Sequence, residues 1–105
     1  MKTYIYCTMQ IHDPETYSKY TALTPDTLKK YGGVFLTRGD ATEVLEGEEF
    51  KDRMVLLEFP SREAAENWYN CEEYQSASRY RRQSSIGKMV IQEARGVTDN
   101  PDPLL

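Results

Sequence analysis

The stretch Thr3-Tyr4-Ile5-Tyr6-Cys7-Thr8-Met9-Gln10-Ile11, followed by His12-Asp13-Pro14-Glu15, decides the fold. Its alternation puts Ile5, Cys7, Met9 and Ile11 on one side and Tyr4, Tyr6, Thr8 and Gln10 on the other, which is the period of a β-strand. Asp13 then supplies a helix N-cap, Pro14 fits the first helical position, and Glu15 lies in the first turn where the helix dipole favours an acid. A strand therefore runs straight into a capped helix.

Working outward, Tyr17, Tyr20, Thr24, Leu28 and Tyr31 continue one helical face up to Gly32-Gly33, which caps its end. Pro25 interrupts that face and predicts two helical pieces or a bend. Residues 34–38 read as a second strand, Arg38-Gly39-Asp40 as a turn, Thr42 to Glu46 as a short extended segment and 47–52 as a polar loop. In Arg53 to Phe59, a third strand, Val55, Leu57 and Phe59 oppose Met54, Leu56 and Glu58. Pro60 stops it and Ser61 caps a second helix. The buried stripe of that helix is Ala64, Ala65, Trp68 and Tyr69, continued by Tyr74, Ala77 and Arg81 after an offset near Asn70-Cys71. A last strand runs from about Lys88 to Ala94.

The order is thus βαββαβ, the split βαβ or ferredoxin-like α+β plan: an antiparallel sheet with both helices on one face. A lone domain of this kind leaves the other sheet face to water, and that face should be polar. In the third and fourth strands neither face is: Met54 and Leu56 back onto Val55, Leu57 and Phe59, and Met89 and Ile91 onto Val90 and Ala94. Contiguous apolar patches mark interaction sites, so the pattern predicts a homodimer with two sheets packed face to face. Ordinary exposed apolar surface is the plainer alternative.

Length and composition set the frame. A chain of 105 residues suits one domain, expected over 1–96, with a polar tail over 97–105 that is either a frayed terminus or an arm toward a partner subunit. Leu, Ile, Val and Phe number only 20, and eight tyrosines make up the deficit. A net charge of -4 and a pI near 5.0 argue against nucleic acid or an anionic membrane as partner. No apolar run nears the roughly 18 residues of a membrane span, and a cytoplasmic location is expected. The element order is also that of an RNA-recognition fold, but the third strand lacks an aromatic pair to stack bases. Cys7 and Cys71 read as packing residues, with a disulfide the weaker reading without secretory context. His12, the single histidine, has no partner at the spacing of a nucleophilic triad, and no metal or organic cofactor is indicated.

Chemistry is expected from a few polar residues among apolar ones. Glu58 and Arg38, placed on the open sheet face, are the candidate proton-transfer group and anion anchor; a register-fixing ion pair, or two wet strand ends, explains them equally well. Tyr20, Trp68 and Tyr74 are candidate pocket walls and hydrogen-bond donors, and Asp13 and Arg81 candidate ligand contacts. The ligand would be a small organic molecule, anionic or aromatic, held between sheet and helices and handled, if it reacts, by acid/base chemistry without a cofactor. A non-catalytic dimeric interaction module is the alternative.

Asp13-Pro14 with Tyr17 and Tyr20, Tyr31-Gly32-Gly33, Arg38-Gly39, Leu45-Glu46-Gly47, Glu58-Phe59-Pro60-Ser61, Ala65, Trp68-Tyr69, Glu73-Tyr74-Gln75 and Arg81-Arg82 together resemble the bacterial family catalogued as domain of unknown function 1330. The resemblance runs from about Thr3 to Gly96. It implies a ferredoxin-like subunit that pairs into a dimeric α+β barrel, in a superfamily that holds cofactor-free monooxygenases, muconolactone-isomerase-like enzymes and haem-dependent relatives. His12 precedes the first helix and falls outside the family pattern, which disfavours haem. Tyr31 stands where many members carry histidine, and Cys71 where many carry serine.

Overall fold

In a computed structural model that describes residues 1–96, the chain forms β1 (Thr3–Ile11), α1 (Pro14–Lys29), β2 (Val34–Arg38), β3 (Arg53–Phe59), α2 (Arg62–Asn70), α3 (Glu72–Ser84) and β4 (Ser85–Glu93). The strands make one antiparallel sheet in the order β2-β3-β1-β4. β1 pairs Ile5 with Leu57 and with Ile91, so one face of three strands carries aliphatic side chains toward the helices. The fold is the ferredoxin-like α+β plan, with its second helical segment broken in two. The tail over 97–105 lies outside the described residues.

Local chemistry sets the element ends. Asp13 Oδ1 accepts from the Thr16 N–H at 3.2 Å and Oδ2 from the Thr16 hydroxyl at 2.7 Å, which caps α1. Ser61 caps α2 by accepting from Ala64 N at 3.1 Å. The offset near Cys71 is present: Cys71 is extended (φ -69°, ψ 151°), its N–H closes α2 on Trp68 O, and its Sγ accepts from Tyr74 N at the start of α3. One main-chain knot ties the two halves together, because the N–H groups of His12 and Asp13 both donate to Ser84 O.

Three expectations are corrected. Pro25 does not divide α1 into two pieces, the first of the two alternatives; one helix runs on from Pro14 to Lys29. A proline at 25 withholds the N–H that would bond the Thr21 carbonyl, and the Arg38 guanidinium donates to that oxygen instead, at 2.7 Å. Thr42 to Glu46 forms no strand and belongs to the exposed connection between β2 and β3. β4 begins at Ser85, three residues earlier than expected, because it leaves α3 without a loop.

Trp68, Tyr74, Phe59 and Leu28 are fully buried between sheet and helices. Trp68 stacks on Tyr74 at 4.0 Å between ring centroids and on Phe59 at 5.3 Å, so aromatic rings fill the volume that a more aliphatic chain would give to leucine. Gly33 is required at the end of α1, since a Cβ there would stand 2.6 Å from the Phe59 ring and closer still to Leu28. The opposite sheet face carries Tyr6, Met54, Leu56, Ile86 and Val90, with Ile86 71% and Val90 49% exposed. Among the described residues nothing covers that face.

Candidate functional site

The interior side of the sheet meets α1 and α3 through tyrosines rather than aliphatics. α1 places Tyr17 and Tyr20 one turn apart, with ring centroids 5.5 Å from each other, and α3 brings Tyr74 to 6.1 Å from Tyr20. The Tyr20 and Tyr74 hydroxyls are 3.0 Å apart and share a hydrogen bond, and Tyr74 also reaches Met89 Sδ at 3.5 Å. Tyr17 donates to Met9 Sδ at 2.7 Å. Burial raises all three phenols above their ordinary pKa, so each stays protonated at neutral pH, a hydrogen-bonding hydroxyl and not a base.

Two arginines border this phenol row. Arg81 lies 5.8 Å from the Tyr20 ring centroid and Arg53 lies 5.6 Å from that of Tyr17. Burial opposes the charge on Arg81, but Tyr74 and Tyr20 outweigh it and the net direction is upward. The Nε atoms of both Arg53 and Arg81 are buried with no hydrogen-bond partner among the described residues. A third arginine, Arg38, stacks 4.4 Å from the Phe35 ring while holding the Thr21 carbonyl. Among the described residues no carboxylate forms an ion pair with any of the three. Desolvation pushes the Cys7 thiol up to about 11, with Arg81 acting in the opposite direction.

A narrow cavity of about 20 Å³ opens between these elements, lined by Cys7, Tyr17, Tyr20, Arg38, Arg53 and Val55 among others. That is room for one water molecule. A separate, mostly apolar cavity of about 200 Å³ lies between α2 and β4, with Tyr69, Met89 and Ile91 in its wall and Glu66 and Asn70 at its rim.

Of the residues singled out from sequence, the fold brings Tyr20, Tyr74 and Arg81 together and sets Arg38 in the wall of the narrow cavity. Trp68 is adjacent but wholly inside the core, its indole N–H committed to Thr27 Oγ1 at 3.0 Å. The Asp13 carboxylate is spent on its cap, where the Thr16 hydroxyl and then the Thr16 N–H hold its pKa down. Glu58 and Arg38 do not meet. Glu58 lies on the open face, opposite Tyr4 and Val34, and pairs with Lys2 Nζ at 3.0 Å. Arg38 is on the helix face, because the β2–β3 register shifts between Phe35 and Thr37 and carries Arg38 into line with Val55. Sequence reasoning missed Arg53 and Tyr17 as site residues. Arg53 was legible in principle, since it stands in phase with Val55, Leu57 and Phe59, the buried side of β3.

Residues 2–95 match the family model described as "Domain of unknown function (DUF1330)". No curated protein matches the sequence. Among solved structures, a protein of unknown function from Rhodopseudomonas palustris superposes with a TM-score of 0.71 at 16% identity, over 89% of this chain and 82% of that one. SnoaB, a cofactor-independent oxygenase from Streptomyces nogalater, superposes with a TM-score of 0.61 at 15% identity, over 96% of this chain and 98% of that one. At such identities the likeness establishes the shared fold and no more.

Proposed function

We propose, for a chain that belongs to the DUF1330 family, a homodimer whose subunits each bind a small organic molecule between the sheet and helices α1 and α3. The observation that carries the reading is the pair of half-buried arginines, Arg53 and Arg81, whose buried Nε atoms lack partners among the described residues beside a row of neutral phenols. A buried donor without an acceptor costs free energy, and an acidic or phenolic ligand supplies the acceptor. Such surroundings also stabilise the anion of a bound phenol or enol, which is the step that chemistry without a cofactor needs first. The same fold in a cofactor-independent oxygenase accords with that chemistry. Glu58, on the other face, would act only on a molecule lying between the two sheets of the dimer, where Lys2 and Tyr4 are its neighbours.

The alternative, a non-catalytic module, draws on the internal bonds of Tyr20 to Tyr74 and of Trp68 to Thr27, which fix the fold without any ligand. A thermal-shift screen of the full chain with small carboxylates and phenols separates the two. Ligand binding raises Tm with a subset of these compounds, and Arg81→Met abolishes the rise. If no compound moves Tm, and Arg81→Met changes only basal stability, the interaction module stands.

A further inference from the structure

The narrow cavity has an outside. Arg53 and Met9 line both it and a basin of about 550 Å³ beneath the β2–β3 connection, whose other walls include Gln10, Ile11, Gly39, Ala41 and Thr42. Arg53 is the partition between the two spaces. Its guanidinium lies against Gly39, so closely that a Cβ at that position would overlap Nη1, and Gly39 has φ +77°. The glycine thus makes the turn and also clears the space in which Arg53 rests. Arg38 is fixed across the same cavity by the Phe35 ring and the Thr21 carbonyl, an arrangement that uses one of its terminal nitrogens.

We infer that Arg38 and Arg53 form a carboxylate subsite at the mouth of the helix–sheet cavity, entered from the basin under the β2–β3 connection, and that small organic acids are the ligand class. The inference rests on the small-molecule reading above and goes beyond it by naming the charged group, the route and the selecting residue. Size supports the division of labour. A cavity of about 20 Å³, room for one water molecule, takes one oxygen of a carboxylate and no ring, whereas the open basin of about 550 Å³ has space for the body of the molecule. Charge points the same way. Asp40 and Asp52 outnumber Lys51 around the basin, so the attraction for an anion lies inward at the two guanidiniums, which no carboxylate among the described residues pairs. Their planar forks match a carboxylate bidentately, and the narrow cavity beside them leaves less room for the four oxygens of phosphate than for two.

The test is calorimetric titration of the full chain with benzoate, its neutral counterpart benzamide, and inorganic phosphate. Benzoate is expected to bind at least tenfold tighter than either, Arg53→Met and Arg38→Met to weaken it tenfold or more, and Arg82→Met, at an exposed arginine away from the cavity, to change it less than threefold. Gly39→Ala, which pushes Arg53 from its place without removing a charge, should weaken benzoate as Arg53→Met does. Benzamide or phosphate binding as tightly as benzoate, or benzoate binding unmoved by Arg53→Met, overturns the subsite. Should phenols still raise Tm through Arg81 in that event, the carboxylate subsite fails while the pocket reading stands; should nothing bind at all, both fail.

Discussion

Tyr20 shows how one side chain serves packing and polarity together. Its ring is buried against Tyr17 and Tyr74, and its hydroxyl finds the one on Tyr74 at 3.0 Å. Tyr20→Phe keeps the ring and leaves the Tyr74 hydroxyl only its long contact to Met89 Sδ, so a loss of about 1–2 kcal/mol is expected, read as a Tm lower by roughly 4–16 °C. Titration of the buried acids has a definite sign. Cys7 in the folded chain titrates at about 11, whereas an unfolded thiol titrates near 8.5, so folding favours the protonated form. That contribution is complete below about pH 8.5 and is lost as pH rises toward about 11. Tyr17, Tyr20 and Tyr74, all raised chiefly by burial, add a loss of the same sign above their ordinary range. Urea unfolding at pH 8, 9, 10 and 11 should give a falling free energy, and a flat profile across that series would show these groups to be accessible to water. Tyrosine count and spacing were readable from sequence. Which hydroxyls meet was not, because Tyr20 and Tyr74 are 54 residues apart and only the α1–α3 packing joins them.

Between elements, the instructive case is the proline inside α1. Helix periodicity places Tyr17, Tyr20, Thr24 and Leu28 on the buried face, where they are found. The expected break at Pro25 does not follow, because the carbonyl it frees is taken up by Arg38 from the end of β2. This coupling is measurable. Arg38→Ala should cost about 1 kcal/mol in the parent chain, and clearly less in a Pro25→Ala background, where the substituted residue returns an N–H to the Thr21 carbonyl; a double-mutant cycle reads the difference. Equal costs in both backgrounds would assign Arg38 no part in sustaining the helix. The register shift in β2 belongs to the same scale. Simple alternation from Val34 puts Arg38 on the open face with Glu58, and one irregular position between Phe35 and Thr37 moves it to the other side.

At the scale of the molecule, the open sheet face asks for a partner. Tyr6 at the centre of β1 has Leu56 and Val90 as its lateral neighbours, which makes an apolar row across three strands. Face-to-face pairing of two such sheets would bury it. We expect the chain to sediment as a dimer and Val90→Glu to sediment as a monomer with its helix content kept, since Val90 is half exposed in the subunit and is not among the residues of its buried core. A parent chain that sediments as a monomer at micromolar concentration would remove this reading. No helix among the described residues is long and apolar enough to cross a membrane.

The features legible along the chain are local and periodic: strand and helix phases, the caps at Asp13 and Ser61, the offset at Cys71, and hence the ferredoxin-like order. Each depends on neighbours within a few residues, and these are fixed by covalent order. Three-dimensional packing settled the rest: which face Arg38 takes, how α1 survives Pro25, and that Arg53 and Arg81 border one row of phenols. Those outcomes turn on a single shifted register and on contacts between elements far apart in the chain. The pattern of apolar residues leaves them open, because it specifies which side of an element is buried and not which polar groups are buried with it.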